Sequence, residues 1–142
     1  MRRALSLGVL GVMLALGALP AEAKRQSLYD RLGGQTAIVA IVDALVVTVV
    51  ADPRISGFFA KTEPTAFKAK LVDFLCQKTG GPCKYTGLSM REAHKGRGIK
   101  DQDFAALVED LGKAFDKVNV AKKDQKAVLA LLVPLKRDVI QK

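Results

Sequence analysis

The chain has 142 residues, of which 49% are hydrophobic and 26% are charged, and it carries 23 Lys and Arg against 14 Asp and Glu. This length fits one domain, and the balance of apolar and charged residues excludes wholesale disorder and a collagen-like chain. The two cysteines exclude a disulfide-dense scaffold, and the single histidine, His94, excludes a site with two histidine ligands from one chain.

The first 23 residues have the pattern of a secretory signal peptide. Arg2 and Arg3 precede an apolar run over residues 4–19, and small residues form a cleavage site that ends at Ala23. We therefore predict cleavage after Ala23 and export to the periplasm. The alternative is an uncleaved anchor, because the run is shorter than the ~20 residues that span a bilayer but long enough to tether the chain.

Cleavage leaves a mature domain of residues 24–142 with a net charge of +8, since two Arg and one Glu are removed from a chain of net charge +9. Such an excess attracts anions in general. Nucleic acid is disfavoured as a partner because the chain is exported and its lysines are scattered singly. The alternative is that the basic residues face solvent and bind no particular partner. We expect a monomer with no membrane span in the mature domain.

The mature domain reads as helical throughout, and capping, glycine or proline residues mark the helix ends. Ser27 is placed to cap a short helix over residues 28–32 that Gly33 ends. The next helix is predicted over residues 36–51. Its Val and Ile content locally favours a strand, but the run is too long for one.

Apolar stripes at helical spacing predict the later helices. After Pro64, one helix has an apolar face that comprises Phe67, Leu71, Phe74 and Leu75. Asp101 or Asp103 is expected to cap a helix whose apolar face comprises Phe104, Leu107, Val108, Leu111 and Phe115. A last helix begins at about Lys123 and is expected to bend at Pro134.

Between the helix after Pro64 and the helix that begins near Asp101, a short helix holds Met90 and His94 and is ended by Gly96 and Gly98. The chain has no internal repeat, low-complexity segment or interdomain linker. The sequence therefore predicts a single all-α domain of five or six helices.

His94 is the strongest candidate for a functional residue. Taken alone, one histidine on a helix is more often an ordinary core or surface residue than a ligand. Its context favours a ligand, because the nearby glycines allow a close backbone approach and the face of Phe67, Leu71 and Phe74 can lie against a planar cofactor. One imidazole opposite an apolar wall is how a proximal histidine holds haem iron.

Several segments carry a resemblance to a known family. They are Ser27-Leu28-Tyr29-Asp30-Arg31-Leu32-Gly33-Gly34, Ala51-Asp52-Pro53, Phe58-Phe59, Phe74 with Gly80-Gly81-Pro82, Tyr85-Thr86-Gly87 and residues 90–99. In this order and spacing they resemble a group I truncated haemoglobin over residues 27–140. The resemblance implies a two-over-two helical sandwich around a noncovalent haem b that binds diatomic ligands (dioxygen, carbon monoxide and nitric oxide).

The resemblance also implies roles for individual residues. His94 is similar to the proximal iron ligand, and Phe59 to the aromatic residue that packs on the haem face. Tyr85 and Lys70 match positions that approach the haem propionates, and Phe74 matches the aromatic residue at the haem edge. The implied cofactor-binding set is Phe59, Phe67, Lys70, Leu71, Phe74, Tyr85 and Met90.

The distal pocket is where this chain departs from the family pattern. Val46, Phe67 and Leu71 occupy its positions, whereas members that hold dioxygen tightly have Tyr or Gln donors there. Without a donor we expect fast dioxygen release and a preference for carbon monoxide or nitric oxide. Lys70 has two open roles: its ammonium pairs with a propionate, or it swings inward to ligate the iron or donate to the bound gas.

The two cysteines suit an exported protein. Cys76 lies late in its predicted helix and Cys83 lies just past the Gly80-Gly81-Pro82 turn, so the chain reverses between them. An oxidising compartment favours a disulfide. Two free buried thiols and a cysteine ligand to iron are the alternatives. No C-x-x-C-H motif occurs, which excludes covalent c-type haem attachment.

Three functional classes remain open on sequence alone. The first is a haem protein that carries or senses diatomic gases. The second is a haem enzyme that uses the same site to turn over nitric oxide with dioxygen or to reduce peroxide. The third is a haem-free basic helical module that binds an acidic partner or a membrane surface. A Soret absorption band separates the third class from the others, and turnover assays separate the first two.

Overall fold

The computed structural model describes residues 24–141, so the predicted signal peptide lies outside the described residues. Within this range every regular element is a helix, which confirms the all-α prediction. The α-helices are α1 (Leu28–Leu32), α2 (Gly34–Ala51), α3 (Pro64–Lys78), α4 (Met90–His94), α5 (Asp101–Lys117), α6 (Lys122–Leu132) and α7 (Lys136–Val139). Two 3-10 helices cover Ser56–Phe59 and Val133–Leu135.

The described part of the chain has seven α-helices because the predicted last helix is divided. Pro134 lies in the 3-10 turn between α6 and α7. Proline has no N–H to donate and its ring clashes with the preceding turn, so a regular helix does not pass through it. The predicted bend is therefore a break between two helices.

The first two helices follow one another without a loop. The Ser27 hydroxyl accepts the Asp30 N–H at 3.1 Å, and the Asp30 carboxylate accepts the Ser27 N–H at 3.2 Å. Gly33 has φ 109°, a left-handed conformation that L side chains rarely adopt. Because this one residue ends α1 and precedes α2, α2 begins at Gly34, two residues earlier than predicted.

Two helix starts differ from the prediction. The N-cap of α3 is Glu63, whose carboxylate accepts the N–H groups of Thr65 and Ala66 at 2.9 and 2.7 Å, and Pro64 is the first helical residue. These backbone hydrogen bonds lower the pKa of Glu63. The N-cap of α5 is Lys100 rather than an aspartate, and the Asp103 carboxylate accepts its N–H at 2.8 Å. Glu63 thus caps α3 from the N-cap position, whereas Asp103 caps α5 from inside its first turn.

The core lies where α2 packs against α3 and α5. By length and composition α2 is able to cross a membrane. Three of its side chains, Ile41, Val42 and Val49, are almost completely buried against the neighbouring helices. A core position explains the apolar character of α2, because its inner face is covered by protein. The signal peptide prediction concerns other residues and is not affected.

A charged cluster joins the end of α2 to α5. The Arg54 guanidinium donates to both carboxylate oxygens of Asp52 at 2.7–3.1 Å and to Glu109 at 2.8 Å. Asp110 is fully buried beside it, and the Lys113 ammonium donates to its Oδ1 at 2.7 Å. The cluster holds the chain where it leaves α2.

Asp52→Asn is expected to destabilise the domain near neutral pH and to have little effect in acid. Hydrogen bonds from the Arg54 side chain and backbone N–H lower the pKa of Asp52 from 3.8 to about 2. A carboxyl whose pKa is lower in the folded state stabilises the fold above the unfolded pKa and loses this contribution as the pH falls through the folded one. Urea unfolding midpoints of the two proteins should therefore converge between about pH 4 and about pH 2.

Glu109→Gln is the matched control for this prediction, because it removes a more exposed carboxylate from the same guanidinium. Exposed ion pairs contribute little to stability, so its unfolding midpoint should shift less than that of Asp52→Asn. Equal shifts, or a difference that persists in acid, would contradict the assigned role of Asp52.

A disulfide ties the end of α3 to the following loop. The sulfur atoms of Cys76 and Cys83 are 2.00 Å apart, and Cys76 is fully buried. The structure therefore has neither free thiols nor a cysteine available to iron among its described residues. The bond fixes the loop that leads to Tyr85 against α3.

Reduction of the Cys76–Cys83 bond is expected to lower the free energy of unfolding by about 2–3 kcal/mol, because a short loop is released in the unfolded chain. The Cys76→Ala/Cys83→Ala variant should lose a similar amount, and its stability should not respond to reductant. Alkylation and mass measurement of protein isolated without reductant should find both thiols masked until the protein is reduced. Two reactive thiols in fresh protein would refute the bond.

Candidate functional site

His94 ends a five-residue helix whose start is strongly capped. The Ser89 hydroxyl accepts the Glu92 N–H at 3.2 Å, while the Glu92 carboxylate accepts the Ser89 N–H at 3.0 Å and its hydroxyl at 2.7 Å. The same hydrogen bonds from Ser89 lower the pKa of Glu92. This reciprocal capping explains how so short a helix forms. The Ser-x-x-Glu spacing that signals it is readable in the sequence.

The imidazole of His94 is held by its own helix. Its Nδ1 lies 2.7 Å from the carbonyl oxygen of Met90, one turn earlier. A carbonyl only accepts hydrogen bonds, so Nδ1 carries the proton. In the neutral ring Nε2 then has a free lone pair, which is the form in which histidine binds a metal.

The C-terminal segment positions this helix. α4 packs against α7, and the Arg91 guanidinium donates to Asp138 at 3.0 Å. The Gln141 amide donates to the carbonyl oxygens of Arg91 and Asp138 at 2.5 and 3.0 Å. Sequence reasoning did not single out these three residues, because their partners are about 50 residues away along the chain.

Apart from the exposed Lys70, the predicted haem-site residues share one property, which is partial burial. The half-buried members of the set are Val46, Phe59, Phe67, Leu71, Phe74, Tyr85, Met90 and His94. Core side chains of this kind are normally fully buried. A group of half-buried aromatic and aliphatic side chains therefore leaves apolar surface available to a ligand.

Two aromatic contacts join members of this set. The ring centroids of Phe59 and Phe67 are 5.6 Å apart, so the 3-10 helix Ser56–Phe59 meets α3. Phe74, two turns further along α3, meets Tyr85 edge to face with centroids 5.3 Å apart. The structure thus brings both ends of the α3 stripe against aromatic residues from outside the helix.

Tyr85 is fixed by several contacts in its loop. Its hydroxyl donates to the Leu88 carbonyl at 2.7 Å, and its backbone N–H donates to the Gln77 side chain at 2.5 Å. Partial burial raises the pKa of Tyr85. Gly87 allows this arrangement, because a Cβ at that position would lie 2.3 Å from the Tyr85 hydroxyl oxygen.

Lys70 is exposed and reaches the same loop. Its ammonium donates to the hydroxyl oxygen of Thr86 at 3.2 Å, next to Tyr85 in the chain. Lys70 therefore lies at the end of the site that Phe74 and Tyr85 form, and its hydrogen-bond partner Thr86 is exposed. The sequence did not predict this contact between Lys70 and Thr86.

Two hydroxyl groups on the segments that carry site residues donate to backbone carbonyls. Thr48, two residues after Val46 on α2, donates its hydroxyl to the Ala44 carbonyl at 2.7 Å. The Tyr85 hydroxyl is likewise committed to Leu88. Val46, Phe67 and Leu71 have no side-chain donor of their own. The roles of these residues toward a ligand stay predictions.

Residues 27–141 match the family model for bacterial-like globins. The group 1 truncated haemoglobin GlbN of Mycolicibacterium paratuberculosis is 35% identical over 118 residues, which cover 83% of this chain and 87% of that protein. This chain belongs to the group 1 truncated haemoglobins. The resemblance seen in the sequence is confirmed, and the family implies haem-based ligand binding.

Solved structures confirm the two-over-two fold of this truncated haemoglobin. The truncated haemoglobin of Tetrahymena pyriformis in its Fe(III) form superposes with a TM-score of 0.79 at 31% identity, covering 82% of this chain and all of that one. The 2/2 haemoglobin of Synechococcus, in a cyanomet state with covalently attached haem, gives a TM-score of 0.77 at 31% identity and the same coverage of this chain. In this chain α2 packs against both α3 and α5, and α5 contacts α6.

Proposed function

We propose that the mature chain is an exported haem b protein that binds diatomic gases reversibly, with His94 as the protein ligand to the iron. The observation that carries the proposal is the hydrogen bond from His94 Nδ1 to the Met90 carbonyl, because it leaves Nε2 as a free ligand. Bound haem would supply an iron atom with an open coordination position for a gas.

The chemistry of the half-buried set fits a haem. Phe59 and Phe67 offer aromatic surface to a flat apolar ring, and Leu71 continues that surface along α3. Lys70 and Tyr85 lie at the polar end, where a cation suits the carboxylates of a haem. We propose noncovalent attachment because the chain has no C-x-x-C-H motif and both cysteines are joined to each other.

The distal residues support weak retention of dioxygen. Dioxygen gains from a hydrogen-bond donor at its binding site much more than carbon monoxide does. Val46, Phe67 and Leu71 supply none, and the Thr48 hydroxyl is taken by a backbone carbonyl. We therefore propose a protein that releases dioxygen fast and prefers carbon monoxide or nitric oxide.

The test is an absorption spectrum of the protein purified from the compartment to which it is exported. A Soret band at one haem per chain supports the proposal, whereas protein that takes up no haem on reconstitution contradicts it and favours a basic interaction module. N-terminal sequencing of the same sample should begin at Lys24. Rapid turnover of nitric oxide or peroxide would make the site that of an enzyme.

Lys70→Ala is expected to leave the spin state of the ferric protein unchanged and to speed haem loss several-fold. The reason is that the Lys70 ammonium lies beside Thr86 on the surface, where it suits a propionate better than the iron. Ferric absorption spectra and haem transfer to apomyoglobin measure both effects. A low-spin spectrum that becomes high-spin in the variant would instead make Lys70 an iron ligand. Lys126→Ala, an exposed lysine of α6, is the control.

A further inference from the structure

Positive charge is concentrated in the part of the chain that forms the candidate site. Residues 61–100 contain nine basic and three acidic side chains, a net charge of +6 within a chain of net charge +9. Two of the three acids, Glu63 and Glu92, are used as helix caps. Asp73 on α3 is the remaining acid. The rest of the chain is far closer to charge balance.

Three of these lysines adjoin Tyr85 or contact one of its neighbours. Lys70 donates to Thr86, and the Lys78 ammonium lies 5.8 Å from the centre of the Phe74 ring, which contacts Tyr85. Lys84 precedes Tyr85 in the chain and is exposed. Among the residues that the structure describes, none of the three lysines pairs with a carboxylate, whereas seven other basic residues do.

An exposed apolar residue also contacts Tyr85. Leu88 is 60% exposed, and its carbonyl accepts the hydroxyl hydrogen of Tyr85. We name as the Tyr85 surface the residues Lys78, Lys84 and Leu88 beside Tyr85, and leave out Lys70 because its ammonium is proposed to pair with a haem propionate. A small apolar centre with unpaired charges of one sign around it suits a short-lived contact with a partner of opposite charge.

We propose that the Tyr85 surface docks an acidic electron-transfer protein that reduces the iron from the ferric to the ferrous state. This inference rests on the proposed function, in which Phe74 and Tyr85 flank the haem. Exposed lysines without carboxylate partners attract an acidic protein over distance, and Leu88 offers an apolar contact after encounter. An electron donor has to dock close to the iron, and the Tyr85 surface lies beside residues proposed to flank the haem. This placement favours a redox partner over a membrane surface.

The proposed step transfers one electron and breaks no bond. A reduced iron–sulfur partner of low potential would give up one electron and become oxidised, and haem held by His94 would take up that electron as its iron goes from ferric to ferrous. No proton transfer is required. A ferrous iron is the state that binds dioxygen and carbon monoxide, so the docking surface would maintain the gas-binding form of the protein.

Reduction kinetics test the docking surface. The probe is a reduced plant-type ferredoxin, an acidic iron–sulfur protein, mixed with the ferric haem-loaded chain while the Soret band is followed. The test variant is Lys78→Glu/Lys84→Glu, which leaves Lys70 and the proposed haem contacts unchanged. The matched control is Lys123→Glu/Lys126→Glu, which makes the same change of charge with two exposed lysines of α6.

The wild-type rate is expected to fall with added salt, because screening weakens attraction between exposed charges. At low salt the test variant should be about tenfold slower than wild type, while the control stays within about twofold. Leu88→Ser should slow the reaction without changing its salt dependence. Dithionite, a small reductant, should reduce all the variants at similar rates.

Other outcomes overturn the inference. If the test variant and the control are slowed equally, net charge alone sets the rate and no local surface is involved. If the test variant keeps its ferredoxin rate but loses binding to phosphatidylglycerol vesicles, the surface is a membrane contact. A chain that holds no haem refutes the proposed function and this inference with it, whereas a haem-loaded chain that fails the ferredoxin test refutes the docking surface alone.

Discussion

His94→Ala is expected to abolish stoichiometric haem retention. His94 is the single histidine of the chain, and both cysteines are joined in a disulfide, so no other imidazole or thiolate is available to hold the iron. Haem content per chain after gel filtration, measured by the Soret band and by pyridine haemochrome, should fall from near one to near zero. The fold should persist, because the imidazole is only half-buried.

Two comparisons make this prediction specific. Lys95→Ala changes the exposed neighbour of His94 and should keep its haem. Far-UV circular dichroism should show equal helix content in both variants, so that haem loss is not mistaken for unfolding. Added imidazole should restore part of the haem binding to His94→Ala by taking the place of the missing ring. An unchanged spectrum in His94→Ala would show that the proximal assignment is wrong.

Val46→Tyr is expected to slow dioxygen release by roughly ten- to hundredfold. A tyrosine hydroxyl at this position on α2 would add the donor that the distal set lacks. A hydrogen bond to a ligand with partial charge contributes about 1.5–3 kcal/mol, which corresponds to that change in rate. Stopped-flow displacement of dioxygen by carbon monoxide measures it.

Val46→Phe is the matched control, since it adds the same ring without the hydroxyl. It should change dioxygen release much less than Val46→Tyr, and any effect that the two share comes from the size of the ring. Carbon monoxide release should respond weakly to both variants. Slow dioxygen release in the parent protein would contradict the donor-free pocket, and the effect of Lys70→Ala on that rate would then identify or exclude Lys70 as the donor.

Local chemistry in the sequence determined much of the fold. Gly33, Pro64 and Pro134 mark helix boundaries because their backbone preferences act within a few residues. Apolar spacing predicted the faces of α3 and α5, and the family resemblance identified His94 as the candidate ligand. The boundary errors were small. At α5 the error arose because the Asp103 carboxylate, within the first turn, accepts the N–H of the true N-cap, Lys100. At α2 it arose because Gly33 both ends α1 and precedes α2.

Tertiary structure decided the contacts between distant parts of the chain. The sequence favoured a disulfide between the two cysteines over free thiols or an iron ligand, and the path of the chain after α3 brings their sulfurs to 2.00 Å. It left the direction of Lys70 open, and the Thr86 contact places its ammonium at the surface. Such contacts depend on how whole helices pack, whereas caps and turns depend on neighbours in sequence. That difference in range is the physical reason why helix ends were readable from the sequence and the surroundings of the site were not.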